Sequence, residues 1–151
     1  MLRGFFVRNA AAPAGVTPVP FAWTDSIRGA GLAHLGRMRS LEALALLRSR
    51  VETLDHLPAI PIKTLCLPFA AIDDRGLARM RAMPVLDEVY LDGTKVTDAG
   101  LASLIAQPNL RFVHVNGTGV TPSGAGEFRA KKPRGRVKYG PIQNSPYFLI
   151  P

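Results

Sequence analysis

The sequence predicts an α/β fold in which about four to five similar strand–turn–helix units place their strands side by side in one parallel sheet. Two observations carry this prediction. A pattern of apolar residues repeats after 24 residues, so that Leu86 aligns with Leu110. Within each period, a short alternating stretch is followed by a turn and then by apolar residues at helical spacing. The chain is therefore expected to form one repetitive domain.

The repeat is clearest in two consecutive copies. Residues 86–96 read LDEVYLDGTKV and residues 110–120 read LRFVHVNGTGV, so their apolar positions and their Gly-Thr pairs coincide. Two earlier copies, which begin near Leu32 and Leu54, are shorter and match less well. Internal repeats of about 20–29 residues are typical of a solenoid.

Each unit has its own start and stop signals. Val89 and Leu91 alternate with polar residues, as a half-buried strand requires. Gly93 then marks a turn, and Thr97 with Asp98 supplies oxygens that can cap a helix. The pair Asp73-Asp74 stands at the equivalent place in the preceding unit, where negative charge favours a helix N-terminus.

The pattern L-x-x-L-x-L-x-x-N/T-x-V in these copies resembles the leucine-rich repeat family, in its ribonuclease-inhibitor-like and F-box-associated types. The resemblance covers about residues 29–139. It implies a short leucine-rich-repeat solenoid with a parallel sheet on the concave face and helices on the convex face. Thr94 and Thr118 stand where the family usually has asparagine, and the weaker copies have Ser49 and Ala70 there.

Alternate strand residues point to opposite faces, so the register also predicts which residues face outward on the concave side. In strand order these residues are Ala43, Ala45, Leu47, Thr64, Cys66, Pro68, Glu88, Tyr90, Asp92, Phe112, His114, Asn116, Arg136, Lys138 and Gly140. The face thus changes from apolar, through acidic and aromatic, to basic. Its apolar part indicates cover by another surface, either a partner or the chain's own N-terminal arm.

A partner-binding site is predicted on the later part of this face. Its candidate residues are Glu88, Tyr90, Asp92, Phe112, His114, Arg136 and Lys138. Tyr90, Phe112 and His114 are the expected anchors, because aromatic side chains are enriched at interface hot spots. The acidic residues Asp87, Glu88 and Asp92 are read either as a solvated rim of the sheet or as a docking point for a basic partner.

No catalytic, cofactor-binding or metal-binding residue is predicted. The histidines lie about one repeat or more apart, with His34 and His56 in helical frames, and they have no metal-ligand spacing. Cys66, the single cysteine, is read as an outward-facing small hydrophobe with a structural role, and one cysteine excludes a disulfide framework. No apolar run approaches about 18 residues, so a membrane-spanning helix is not expected.

The charge is concentrated at the ends of the chain. The formal net charge is +8, from 19 Lys and Arg against 11 Asp and Glu. Arg3 and Arg8 precede the first acidic residue, Asp25, and this stretch resembles a mitochondrial presequence. A bacterial cytoplasmic protein with a flexible arm is the alternative. Nucleic-acid binding through the basic residues 129–138 is less favoured than protein binding, because aromatic stacking residues are not interleaved there.

These observations predict a non-catalytic protein–protein interaction scaffold. It would be an accessory or structural subunit of a larger assembly, which is mitochondrial if the presequence reading is correct. The alternative is a stand-alone bacterial binding module such as an inhibitor or immunity protein. The expected divisions are an N-terminal arm and cap (1–28), the repeat domain (29–139) and a C-terminal tail (140–151). Phe21 to Trp23 are expected to cap the first repeat, and the tail to remain free for partners.

Overall fold

The chain forms one five-stranded sheet in which every strand is parallel to its neighbour. This computed structural model describes residues 28–37, 39, 41–80 and 83–145. The strand order equals the order in sequence, with no crossing of strands. The strands are β1 (Ala43–Ala45), β2 (Thr64–Cys66), β3 (Glu88–Tyr90), β4 (Phe112–Asn116) and β5 (Arg136–Gly140). The predicted α/β class with a single parallel sheet is confirmed.

The strand register follows the repeat in the sequence. Ala43 pairs with Thr64, which pairs with Glu88, and the same row continues through Phe112 to Arg136. Because side chains alternate along a strand, one row of aligned residues lies on one face of the sheet. Within the strands, the residues that the sequence predicts to share the outward face therefore do lie on one face of the sheet.

The three α-helices lie on one side of the sheet and become longer along the chain. A 3₁₀ helix, Gly29–Arg37, precedes β1, and three α-helices follow: α1 (Asp74–Ala78), α2 (Asp98–Ser103) and α3 (Pro122–Lys131). Short 3₁₀ helices cover Leu104–Ala106 and Ile142–Asn144.

One unit departs from the predicted strand–turn–helix plan. Residues 46–63, which connect β1 and β2, contain no helix, and His56 lies in a turn. The helical frame predicted for His56 is wrong. Pro58 and Pro61 interrupt this connection, and proline removes the backbone donor that a helix needs.

The main core lies between the inner face of the sheet and the helices. Leu91, Leu101, Leu110 and Val115 are buried in it, as the repeat register predicts. Phe128 of α3 is among the largest fully buried side chains. In the last strand, β5, Val137 and Tyr139 pack against this core from their predicted inward positions.

A left-handed turn follows each of the first four strands. Arg48, Phe69, Gly93 and Gly117 occupy equivalent places, with φ of 51°, 57°, 67° and 66°. Glycine adopts this conformation without steric cost, whereas Phe69 and Arg48 carry a side chain in a region that disfavours one.

Threonine hydroxyls complete the turns of the two later units. Thr94 Oγ1 donates a hydrogen bond to the Leu91 carbonyl at 2.6 Å, and Thr118 Oγ1 donates one to the Val115 carbonyl at 2.7 Å. Ala70, at the same place after β2, has no hydroxyl to donate. The side-chain ladder is therefore interrupted at Ala70.

Aspartates connect successive units on the helix side. Asp73 caps its own helix α1, as expected, by accepting a hydrogen bond from Gly76 N. Asp74 instead reaches the next unit, where its carboxylate accepts hydrogen bonds from Thr97 N, Thr97 Oγ1 and Gly100 N. Asp98 repeats this contact with Thr121 in the following unit.

Candidate partner-binding face

The predicted binding residues lie together on the side of the sheet that faces away from the helices. This side, called the outward face below, carries the row Ala43, Thr64, Glu88, Phe112, Arg136 and the row Ala45, Cys66, Tyr90, His114, Lys138. Asn116 is the last residue of β4, and Asp92 lies two residues beyond the end of β3. The structure thus places six of the seven sequence-predicted residues on three adjacent strands and Asp92 just after one of them.

The first half of the outward face is apolar and buried. Ala45, Leu47, Cys66 and Tyr90 form a cluster, called the outward cluster below, which is separate from the main core. Their exposed fractions are 4%, 7%, 2% and 5%. Phe69 packs against the cluster from the turn after β2.

An aromatic pair lies at the middle of the face. The rings of Tyr90 and His114 stack with their centroids 4.3 Å apart and their planes inclined by 27°. The Tyr90 hydroxyl donates a hydrogen bond to Glu88 Oε2 at 3.0 Å. This pair joins β3 to β4 and leaves Glu88 engaged within the chain.

Burial governs the ionisation of this pair. Burial raises the pKa of Tyr90 above its usual range, and the Glu88 carboxylate adds to the rise. Burial also lowers the pKa of His114, which the Asp92 charge opposes and the Lys138 charge reinforces. Both side chains are therefore held in their neutral forms over a wider pH range than usual.

Asp92 is buried, which contradicts its reading as part of a solvated rim. Its Oδ1 accepts hydrogen bonds from the backbone and side-chain nitrogens of Asn116, at 2.7 and 2.8 Å. Within the described residues, Asp92 Oδ2, His114 Nδ1 and Asn116 Oδ1 are buried without a hydrogen-bond partner. This part of the face therefore has more acceptors than the described donors satisfy.

The other acidic residue of the predicted patch is also engaged. Arg111 Nε donates a hydrogen bond to Asp87 Oδ1 at 2.6 Å, and its Nη2 donates to Asp87 Oδ2. The Asp87 carboxylate in turn raises the pKa of Arg111. Since Asp87, Glu88 and Asp92 all bind groups of this chain, the acidic patch offers little free negative charge to a basic partner.

The second half of the outward face is basic and accessible. Arg136 and Lys138 of β5 are exposed, and Phe112 and His114 beside them are half-buried. The guanidinium carbons of Arg111 and Arg136 lie 5.6 and 5.9 Å from the centroid of the Phe112 ring, within cation–π range. Over the described part of the chain, neither Arg136 nor Lys138 forms a salt bridge. The free charge of this face is therefore positive.

Cavities also lie away from the outward face. An apolar cavity of about 290 Å³ occurs where the connection between β1 and β2 lacks a helix, and it is lined by residues 54, 57–61, 80 and 83–85. Another cavity, of about 390 Å³, is lined in part by Arg111, Lys131, Lys132 and Arg134. Among the described residues no cluster of three histidine, cysteine, aspartate or glutamate side chains could hold a metal ion.

The comparisons with known proteins give no further guidance. Neither the protein-family models nor the curated proteins contain a match to this chain. In the part of the chain that the structure describes, no helix has the length and apolar character to span a membrane. The presequence-like arm and the capping residues Phe21 to Trp23 lie outside the described residues.

Sequence reasoning missed two residues that shape this face. Phe69 packs against the outward cluster, and Arg111 flanks the Phe112 ring. Phe69 could have been found from the repeat, because it stands where Gly93 and Gly117 occur in the later units. A bulky side chain in a glycine position indicates that packing compensates for the left-handed turn.

Proposed function

We propose that this chain is a non-catalytic protein–protein interaction scaffold of the leucine-rich repeat type, and that it serves as an accessory or structural subunit of a larger assembly. It binds an acidic surface of its partner through the second half of the outward face. The observation that carries this proposal is the surroundings of Phe112. Its ring is half-buried, and the exposed side chains of Arg136 and Lys138 lie beside it on the next strand.

Several features support the solenoid part of the proposal. The strands follow one another in sequence order, and the same left-handed turn recurs after four of them. Asp74 and Asp98 make the same contact from one unit to the next. Contacts that repeat only between neighbouring units are the mark of a solenoid.

The positions of the reactive side chains favour a role without catalysis. Cys66 on β2 and His114 on β4 are separated by Tyr90 on β3, so the thiol and the imidazole are not adjacent. A cysteine nucleophile needs a base within hydrogen-bonding reach. His114 stacks on Tyr90 instead.

The basic character of the face suggests the chemistry of the partner. Arg136, Lys138 and the ring of Phe112 can bind a surface that combines carboxylates with an apolar or aromatic group. At such an interface the charged side chains orient the partner, and burial of the aromatic ring contributes to the binding affinity.

The competing function is a stand-alone binding module, such as a bacterial inhibitor or immunity protein. Under that alternative the purified chain is monomeric and binds one target only. The mitochondrial and bacterial locations remain two separate hypotheses, which fractionation of the source cells distinguishes.

The test uses two double variants that remove the same charge from opposite sides of the molecule. R136A/K138A removes two exposed basic residues from the outward face, and R129A/K131A removes two from α3. A tagged chain is purified from its native extract and the mass of the complex is measured. The proposal expects the wild type and R129A/K131A to migrate in a complex, and R136A/K138A to lose it.

Two outcomes would contradict the proposal. One is equal loss of the complex in both double variants, which would indicate binding by net charge alone. The other is disassembly of the wild-type complex by nuclease, which would show that nucleic acid is the partner of the basic segment.

A further inference from the structure

The last strand of the sheet has one open edge. β5 is the final strand in the order β1 to β5, and it pairs with β4 alone. The described chain after β5 turns back toward β4: a methyl group built on Gly117, in the turn after β4, would lie 2.7 Å from Ile142 Cβ. The start of the predicted C-terminal tail is therefore packed on β4, and within the described residues no strand pairs with the other edge of β5.

The hydrogen bonds to β4 show which backbone groups of β5 face the open edge. Arg136 N donates to the Arg111 carbonyl at 2.7 Å, so the backbone of Arg136 faces β4. In a parallel ladder, alternate residues direct their N–H and C=O groups to opposite sides. Lys138 therefore also faces β4, whereas Val137 and Tyr139 direct their backbone groups to the open edge. In the described part of the chain, no backbone hydrogen bond outside the sheet involves Val137 or Tyr139.

The inward side chains of β5 are less covered than their equivalents in β4. Val113 and Val115 are 0% and 1% exposed, whereas Val137 and Tyr139, which pair with them, are only half-buried. The terminal unit of a solenoid lacks the neighbouring unit that covers these positions earlier in the chain. The open edge thus offers apolar contact on its inner side in addition to backbone hydrogen bonds.

The outward side chains of β5 determine which kind of strand can pair with this edge. Arg136 and Lys138 are exposed, and neither forms a salt bridge with another described residue. Like charges on paired strands are destabilising, and opposite charges are stabilising. A second copy of β5 would bring the same two cations against these, so pairing between copies is opposed. A strand that carries carboxylates on its outward side is favoured instead.

We propose that the open edge of β5 binds an extended segment of the partner as an added strand, in which acidic residues alternate with apolar ones. The backbone of the segment pairs with Val137 and Tyr139, and its apolar side chains extend the core beside them. Its acidic side chains lie next to Arg136 and Lys138 on the outward face. The inference rests on the proposed function, because it specifies the form in which the partner presents its acidic surface.

Amide hydrogen exchange at single residues, measured by NMR in the purified full-length chain, tests this pairing. The probe is the synthetic peptide acetyl-EVEVEVE-amide. At about 2 mM peptide, exchange at Val137 and Tyr139 is expected to slow by about threefold or more, because a paired amide exchanges only while the peptide is dissociated. The Lys138 amide is the internal control, since it already faces β4 and should change less.

Control peptides and variants separate strand pairing from attraction between charges. The same peptide with every amide N-methylated keeps its carboxylates but has no N–H to donate, and it is expected to leave exchange at Val137 and Tyr139 unchanged. The basic peptide acetyl-KVKVKVK-amide is expected to have no effect either. R136A/K138A should weaken the response to EVEVEVE, and R129A/K131A should keep it. The NMR spectrum of each variant shows whether it is folded.

Three results would overturn the proposal. The first is unchanged exchange at Val137 and Tyr139 with EVEVEVE. The second is an equal effect of the N-methylated or the basic peptide. The third is exchange that slows at these residues as the concentration of the chain alone rises, which would show pairing between copies. The proposed function would still stand if R136A/K138A loses the native complex, because that test does not depend on backbone pairing.

Discussion

The first two units of the sheet and the next two differ in how their turns and helices are held. Around β3 and β4, Thr94 and Thr118 hydroxyls complete the turns. Around β1 and β2, Ser49 Oγ is buried without a hydrogen-bond partner among the described residues, and Ala70 has no hydroxyl. Yet all four strands pair in one unbroken register.

The apolar and the polar residues of the repeat have different roles. Apolar residues of the inner face, mostly leucine and valine, recur in every unit, and the sheet continues through all of them. Among the described residues, the threonine bonds within the turns occur around β3 and β4, and the aspartate contacts run from Asp74 and Asp98 to the units of α2 and α3. Apolar periodicity thus accounts for the strands, and the polar contacts accompany the two longer α-helices.

The largest expected effect comes from the shared core. Leu91 and its equivalent Leu67 are both fully buried, one in a regular unit and one in a weaker unit. We expect Leu91→Ala and Leu67→Ala each to lower the free energy of unfolding by roughly 2–5 kcal/mol. Urea denaturation measures both. A negligible loss for Leu67→Ala would show that the weaker units contribute little to the core.

The close approach of neighbouring units gives the next effect. A methyl group on Gly100 would collide with Asp74 Oδ1, whereas one on Gly126 in α3 would meet nothing within 4 Å. We expect Gly100→Ala to destabilise the chain by roughly 1–3 kcal/mol. Gly126→Ala should stabilise it by about 0.5–1 kcal/mol, since alanine restricts the unfolded chain and favours a helix.

Thermal unfolding of the two alanine variants checks this pair. Midpoint shifts in opposite directions would support the contact between Asp74 and the next unit. Stabilisation by both substitutions would mean that Asp74 does not approach Gly100.

The turn hydroxyls give a smaller difference between the two regions. Thr94→Val removes the hydrogen bond to the Leu91 carbonyl and is expected to lower the free energy of unfolding by about 1 kcal/mol. Ser49→Ala removes a buried hydroxyl without a partner in the described part of the chain, so we expect no loss or a slight gain. Chemical denaturation of both variants, with Thr94→Ser as the control that keeps the hydroxyl, measures this contrast.

The smallest effect concerns pH. The pKa of His114 is lowered by burial, so the unfolded chain binds a proton more readily than the folded chain. Its contribution to stability is complete above the unfolded pKa of about 6.5 and is lost as the pH falls toward the folded value. Stability measured between about pH 7.5 and pH 5 should therefore fall less steeply in His114→Gln than in the wild type. Equal slopes would show that His114 ionises as freely in the folded chain as in the unfolded one.

The parts that the sequence predicts are those that depend on periodicity. The outward positions of Tyr90, Phe112 and His114 follow from strand alternation, because a parallel register is fixed by the buried positions beside them. The helix predicted near His56 does not form, since Pro58 and Pro61 outweigh a weak repeat pattern.

The parts that the sequence does not predict depend on contacts between units. Asp92 looks like a rim residue in a single unit, but Asn116 of the next unit encloses it. Arg111 likewise neutralises Asp87 across the strands. Such pairing depends on side-chain geometry between neighbouring strands, which a linear pattern does not contain. Because these pairings occupy the acidic side chains, the expected partner surface is acidic, whereas the sequence alone also allowed a basic one.

The central claim, that the second half of the outward face binds a protein partner, is tested most directly by hydrogen exchange. Amide exchange is measured by mass spectrometry in the free chain and in the complex purified with its partner. If this face binds the partner, peptides that cover β4 and β5 exchange more slowly in the complex, and peptides of α3 change little. Slower exchange confined to α3, or no difference at β4 and β5, would contradict it.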